Sequence, residues 1–202
     1  MNKMKHVFKP GNESGETLVV FHGTGGDEND LISVAQMIDA DANILSLRGN
    51  VLENGMRRFF KRLSEGVFDE EDIKFRSKEI VDFLGEAKEK YGIDLENLTA
   101  VGYSNGANII AAIMLIYGET FNKSILFHPT VPLKDIPNHE LTGKKIFVGA
   151  GTNDTLIPIR DTLQLESILR EKGADVTSKR YMKGHTLTID EVSDAKDWLE
   201  KA

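Results

Sequence analysis

Short, uninterrupted apolar runs recur along the chain, and they alternate with segments in which apolar residues are spaced three or four positions apart. A short apolar run bounded by turn residues is typical of a strand that is buried on both faces of a parallel sheet. Such runs predict strands at 17–21, 42–47, 98–102, 124–127 and 145–150. The segment 176–181 is more polar, and it predicts a strand near an edge of the sheet.

The segments between these strands have helical patterns. Apolar residues recur with helical spacing in three of them, at 73–91, 163–169 and 189–199. Residues 105–117 are apolar nearly all round, which is typical of a helix packed inside a fold. Helices that alternate with strands predict βαβ crossovers and therefore an α/β fold with a mostly parallel sheet. No repeat or linker interrupts the pattern, so we expect one domain over residues 1–202.

Charge and composition exclude several classes of protein. The formal net charge is −7 and the pI is about 5.3, so the polyanionic backbone of a nucleic acid would repel the protein. The longest apolar run, 109–116, is far shorter than the roughly 20 residues of a membrane-spanning helix, and we expect no membrane insertion. The absence of cysteine excludes disulfides and thiolate chemistry. The N-terminal lysines precede no apolar stretch, which predicts a cytoplasmic location.

One serine stands in a turn suited to a nucleophile. Gly102-Tyr103-Ser104-Asn105-Gly106 follows a predicted buried strand and opens the predicted buried helix. This strand, turn and helix form the context of a nucleophile elbow, in which the serine hydroxyl projects from the carboxyl edge of the sheet. The alternative is an ordinary tight turn, since the chain contains 18 glycines. The context favours the nucleophile.

A neutral serine needs a base, and two later residues supply the remaining parts of a triad. Asp154 follows the predicted strand 145–150, and His185 lies between the predicted strand 176–181 and the last helix. Taken alone, Asp154 is better interpreted as a turn residue or a helix N-cap, and the alternative for His185 is a solvated loop. The chain order Ser, Asp, His, with each residue after a strand, favours catalytic roles for Ser104, Asp154 and His185.

A tetrahedral oxyanion needs backbone N–H donors, normally one after the nucleophile and one from an early loop. Asn105 supplies the first donor. The loop His22-Gly23-Thr24-Gly25-Gly26 follows the first predicted strand, and Thr24 is the candidate for the second donor. A phosphate-binding loop is the alternative for this glycine-rich segment, but the sequence lacks both common phosphate-binding patterns.

The long connection from Gly49 to Glu71 is the candidate wall of the acyl pocket. Met56, Phe59 and Phe60 are expected to bind substrate there. A small packed helix with a solvated basic face is the alternative for this segment.

The other histidines are expected to have no part in proton transfer. His22 is expected to orient the early loop, and His128, which precedes Pro129 at a strand end, to have a structural role. His6 and His139 are expected at the surface. No pair of histidines has the spacing of a metal site, so we expect neither a metal nor another cofactor.

The segments 22–27, 102–107, 151–158 and 184–185 together resemble the small bacterial carboxylesterase/phospholipase family, close to the dienelactone-hydrolase-like enzymes. The segments 47–51, 58–63 and 66–72 resemble its branch linked to quinone and hydroquinone tolerance. The resemblance implies an α/β-hydrolase fold without a separate cap domain, often as a homodimer, that cleaves short acyl esters. Family members often have glutamine where this chain has Asn105, and dienelactone hydrolases use cysteine where this chain has Ser104.

These observations predict a serine hydrolase that cleaves short-chain carboxylic esters through an acyl-enzyme intermediate, with a small-molecule ester as its substrate. A thioesterase or lysophospholipase with the same triad is one alternative. A catalytically silent binding protein with a hydrolase fold is the other.

Overall fold

The structure, a computed structural model, describes residues 4–12, 16–64 and 66–202. In chain order, the first half contains β1 (His6–Lys9), β2 (Thr17–Phe21), α1 (Ile32–Ile38), β3 (Asn43–Leu47), β4 (Val51–Glu53), β5 (Met56–Arg58), β6 (Arg62–Ser64), β7 (Val67–Phe68) and α2 (Glu70–Tyr91). After a short 3₁₀ helix (Leu95–Asn97) follow β8 (Leu98–Tyr103), α3 (Asn105–Tyr117), β9 (Lys123–Phe127), β10 (Lys145–Gly151), α4 (Ile159–Glu171), β11 (Asp175–Tyr181) and α5 (Ile189–Leu199).

Within the described residues, seven strands form the main sheet in the order β1-β3-β2-β8-β9-β10-β11. All neighbours are parallel except β1, which pairs antiparallel with β3 at one edge. Each predicted strand belongs to this sheet, and β11 is the opposite edge strand, as its more polar sequence predicts. The predicted α/β-hydrolase fold, with a mostly parallel sheet and helices on both faces, is confirmed. The antiparallel strand β1 was not predicted, because four residues of mixed polarity carry little signal.

The helices divide between the two faces of the sheet. On one face, α2, α3 and α4 pack over alternate strand residues such as Phe21, Leu126 and Val148. On the other, α1 and α5 cover the intervening residues, among them Val20 and Phe127. Helix α3 is buried along nearly its whole length, as its uniformly apolar sequence predicts. Within the described ranges, no helix is long and apolar enough to cross a membrane.

The connection before α2 forms two small hairpins. Strands β4 and β5 pair through the turn Asn54-Gly55, and both turn residues have positive φ, at 50° and 79°. This combination is typical of a type I′ hairpin turn. Strands β6 and β7 form the second antiparallel pair. The alternative of a small packed helix for this segment is therefore wrong, because the Asn-Gly turn and the pairing of Val51 with Arg58 impose extended backbone.

Candidate active site

Ser104 stands at the tip of a strained turn between β8 and α3. Its φ is 53°, a value that L-residues seldom adopt, and its N–H donates to the carbonyl of Phe127 at 2.8 Å. The glycines on either side are required by close packing. A Cβ at Gly106 would lie 2.1 Å from the carbonyl oxygen of Phe21, and one at Gly102 would lie 2.6 Å from Ile110 Cδ1. The turn therefore exposes the serine hydroxyl while α3 packs tightly against the sheet.

Three of the predicted residues form a continuous chain of hydrogen bonds at the carboxyl edge of the sheet, with His185 in the middle. His185 Nε2 is 2.9 Å from Ser104 Oγ, and its Nδ1 is 2.7 Å from Asp154 Oδ2. Asp154 follows β10, and His185 lies between β11 and α5. The Tyr103 hydroxyl donates to the carbonyl of His185 at 3.0 Å, which fixes the backbone of the histidine. This is the geometry that a serine, base and acid need for nucleophilic catalysis.

Asp154 accepts hydrogen bonds at both carboxylate oxygens. Oδ1 accepts from the N–H groups of Leu156 and Ile157, each at 2.9 Å. Oδ2 accepts from His185 and also from His128, whose Nδ1 is 2.9 Å away. Burial raises the pKa of Asp154, but the hydrogen bonds from Ile157, His185 and His128 outweigh it and hold the pKa below its usual value. The carboxylate therefore stays ionised and fixed in orientation.

His128 is the residue of this site whose importance the sequence did not indicate. It follows β9 in a positive-φ conformation, with φ at 52°, and its ring is buried. Its Nε2 lies 2.9 Å from Oε1 of Glu191, a fully buried residue of α5. The one feature of the sequence that could have placed His128 near the site is its position at the end of a predicted strand. Nothing in the sequence brings residues 128, 154 and 191 together.

The two candidate oxyanion donors flank the nucleophile. Thr24 and Asn105 line the same cavity as Ser104. Within the described part of the chain, the backbone N–H of neither residue donates to a protein acceptor. Side chains hold both segments in place, because Arg58 Nη1 donates to Thr24 Oγ1 at 3.0 Å and Asn105 Oδ1 accepts from the N–H of Phe59 at 2.7 Å.

The early loop is held by His22, as the sequence predicts. Its Nδ1 donates to the Gly23 carbonyl at 2.6 Å, and its Nε2 accepts from the N–H of Gly49 at 3.0 Å. Burial lowers the pKa of His22 despite the Gly23 hydrogen bond, which is consistent with a neutral ring that donates once and accepts once.

A cavity of about 390 Å³ opens at Ser104. The residues that line it include Thr24, Met56, Arg58, Phe68, Asn105 and His185. Met56 lies where the sequence predicts a substrate-binding residue. Phe59 and Phe60 do not, and this expectation is corrected: both rings are buried in the core, where Phe59 packs on Phe21. Phe68 and Tyr103, rather than these two rings, supply the aromatic part of the wall.

His128, Asp154 and His185 are also the one group among the described residues whose ligand atoms lie close enough together to hold a metal ion. Both histidine Nδ1 atoms, however, are already within hydrogen-bonding distance of the same carboxylate oxygen. A metal ion would have to displace these protons and draw His185 away from Ser104. The donor set is therefore better suited to proton transfer than to a resident metal.

The chain is similar to known hydrolases over nearly its whole length. Residues 2–202 match the phospholipase/carboxylesterase family. The chain is 44% identical over 199 residues to the hydrolase MhqD of Bacillus subtilis, covering 98% of this chain and 99% of the relative. A carboxylesterase from Bacillus cereus has 46% sequence identity and a TM-score of 0.96, with 99% of this chain and 95% of that chain covered.

A carboxylesterase from Mesorhizobium loti has a TM-score of 0.95 at 26% identity, covering 100% of this chain and 98% of that chain. The match of the family over almost the entire chain, together with these relatives, shows that the chain belongs to the phospholipase/carboxylesterase family of α/β hydrolases.

Proposed function

We propose that the protein is a serine hydrolase that cleaves short-chain carboxylic esters through an acyl-enzyme intermediate. The observation that carries the proposal is the chain of hydrogen bonds from Ser104 through His185 to Asp154 at the mouth of a cavity. The cavity, at about 390 Å³, is near the lower end of the size range of small-molecule sites, which favours a short acyl group.

In the first half of the reaction, Ser104 Oγ attacks the ester carbonyl while His185 Nε2 takes the hydroxyl proton. The negative charge that develops on the carbonyl oxygen is stabilised by the backbone N–H groups of Thr24 and Asn105. His185 then returns the proton to the leaving alkoxide, which departs as an alcohol and leaves the acyl group on Ser104.

In the second half, His185 takes a proton from water as the water attacks the acyl carbonyl. Collapse of the second tetrahedral intermediate returns the proton to Ser104 Oγ and releases the carboxylic acid. Asp154 remains ionised throughout the cycle. Its negative charge stabilises the His185 imidazolium, which forms once in each half of the reaction.

Covalent labelling tests this proposal directly. A fluorophosphonate probe is expected to label the protein at Ser104, and Ser104→Ala is expected to abolish both labelling and the hydrolysis of p-nitrophenyl acetate. Ser167→Ala is the matched control, because Ser167 lies on α4 and, among the described residues, its hydroxyl bonds only to Glu171. Undiminished hydrolysis by the Ser104→Ala variant would overturn the proposal. Labelling at a different serine would overturn it as well.

We also propose that the protein acts as a homodimer, which the family resemblance supports. Light scattering at several protein concentrations tests the dimer, and a monomeric mass at all of them would exclude it.

A further inference from the structure

His128 lies between two carboxylates that are almost completely shielded from solvent. Its Nδ1 is 2.9 Å from Asp154 Oδ2 and its Nε2 is 2.9 Å from Glu191 Oε1, with all three side chains at most 1% exposed. The Nε2–Oε1 contact with Glu191 is within ion-pair distance, but its angle is outside that of a hydrogen bond. A neutral imidazole has one N–H and would turn a lone pair towards one of the carboxylates. The arrangement therefore fits the imidazolium.

The charges of this group explain why a cation is needed there. Two buried carboxylates without a positive partner would be very costly in free energy. With His128 protonated, the group keeps one net negative charge, and this charge faces His185. Burial lowers the pKa of His128, but its contacts with Glu191 and Asp154 outweigh the burial and raise the pKa above 6.5. The rings of His185 and Tyr103, with centroids 5.2 Å and 5.7 Å away, are the other titratable groups that face it.

Glu191 connects this ion pair to the segment that carries the base. Its second oxygen, Oε2, accepts from both the N–H and the hydroxyl of Thr188, each at 2.8 Å. Thr188 is the N-cap of α5 and forms a capping box with Glu191. Since Thr188 follows His185 by only three residues, one continuous set of polar contacts joins Asp154 to the segment that places His185.

We propose that His128 and Glu191 are positioning residues for the hydrolytic reaction, in which a buried imidazolium holds Asp154 in place for His185. This inference rests on the proposed function. His128 supplies one of the two donors to Asp154 Oδ2, and it neutralises Glu191, which anchors the start of α5. Without the pair, the carboxylate would lose a fixed donor, and the segment carrying His185 would lose its anchor.

The charge of His128 is measured on the unaltered protein by nitrogen-detected NMR of the histidine rings. At about pH 7.5, an ordinary histidine with a pKa near 6.5 is mostly neutral. His128 is expected to give the signal of a ring protonated at both nitrogens. The variant His128→Asn assigns that signal by its loss, and asparagine tolerates the positive φ of this position. A neutral His128 at this pH would overturn the proposal.

The kinetic test compares two buried glutamates. Glu191→Gln keeps the size of the side chain and removes its charge, and it is expected to lower kcat for p-nitrophenyl acetate by about 10- to 100-fold, with KM nearly unchanged, because only the orientation of Asp154 and His185 is disturbed. Glu166→Gln is the matched control, since Glu166 is equally buried but pairs with Arg170 and Arg180 on α4 and β11. Urea unfolding of both variants measures their stability.

The outcomes distinguish the positioning role of His128 and Glu191 from the serine mechanism itself. Loss of kcat in Glu191→Gln but not in Glu166→Gln, in folded variants and with a cationic His128, supports the positioning role. A cationic His128 with unchanged kcat in Glu191→Gln would reduce the pair to a structural ion pair and overturn it. In that case, the Ser104→Ala variant still tests the serine mechanism independently.

Discussion

Replacing Asp154 by asparagine should disable both the triad and its surroundings. The carboxylate accepts from four donors, namely the N–H groups of Leu156 and Ile157 at Oδ1 and the Nδ1 atoms of His185 and His128 at Oδ2. Asparagine offers one oxygen and one NH₂ group in the same space. Whichever way the amide is turned, its NH₂ group must face two other donors.

The size of the effect follows from these contacts. If the NH₂ group faces the histidines, His185 must present its Nδ1 as an acceptor and its Nε2 proton towards Ser104, so it can no longer act as a base. Loss of the correct tautomer lowers kcat on the order of 10⁴-fold in serine triads. If the NH₂ group faces the backbone instead, the partly buried N–H groups of Leu156 and Ile157 lose their acceptor, at up to about 1–3 kcal/mol each. In both orientations the negative charge that stabilises the His185 imidazolium is lost, so Asp154→Asn should lose stability as well as activity.

The assay measures kcat for p-nitrophenyl acetate and the urea midpoint of the same preparation. Asp175→Asn is the control, because Asp175 is exposed at the start of β11. The expected result is a folded protein with a lower urea midpoint and a kcat reduced by several orders of magnitude. A kcat within about tenfold of the unaltered protein would refute the assignment of Asp154 as the residue that orients the base.

Three further predictions concern packing and pH. Gly106→Ala should lower the free energy of unfolding by about 1–3 kcal/mol and abolish activity, because the added Cβ meets a backbone carbonyl of β2; urea unfolding and the esterase assay check both. Phe59→Ala should cost about 3–5 kcal/mol in the same unfolding assay, whereas Met56→Ala at the cavity should alter KM and leave stability nearly unchanged. Urea unfolding at a series of pH values tests the charged groups of the site. The pKa of Asp154 is lowered in the folded protein, so its contribution to the free energy of unfolding should be complete above about pH 3.8 and be lost as the pH falls through its folded-state pKa. The pKa of His128 is raised, so its contribution to the free energy of unfolding should be complete below about pH 6.5 and be lost as the pH rises through its folded-state pKa. The variant His128→Asn should not show this alkaline loss of stability. An alkaline loss that persists in the variant would falsify the prediction for His128.

The apolar runs predicted the inner strands of the sheet because such strands are buried on both faces and need no information from their neighbours to be recognised. The residues Ser104, Asp154 and His185 were predictable for a related reason. Each lies in the turn or loop after a predicted strand, and parallel strands end at the same edge of a sheet. Local sequence was therefore sufficient to bring the three together, as the distances between their side chains bear out.

The pocket wall was less predictable. Asn54-Gly55 is a strong local signal for a hairpin turn, and it could have predicted the pairing of β4 with β5. The direction in which Phe59 and Phe60 point depends on the path of the chain after that hairpin. The backbone of Phe59 is held by the side chain of Asn105, which is 46 positions away in the sequence. Two aromatic residues in a long connection therefore fit a pocket wall and a core equally well until the long-range contact is known.

The order of the strands explains why His128 belongs to the same group as the triad. Strand β9 lies between β8, which ends at the nucleophile, and β10, which precedes the acid. The residue that follows β9 must therefore lie between Ser104 and Asp154 at the carboxyl edge. A side chain there faces the acid from the side opposite the solvent, so it determines which charges surround Asp154. A second carboxylate beyond a histidine at this position favours its positive charge, and Glu191 of α5 provides that carboxylate.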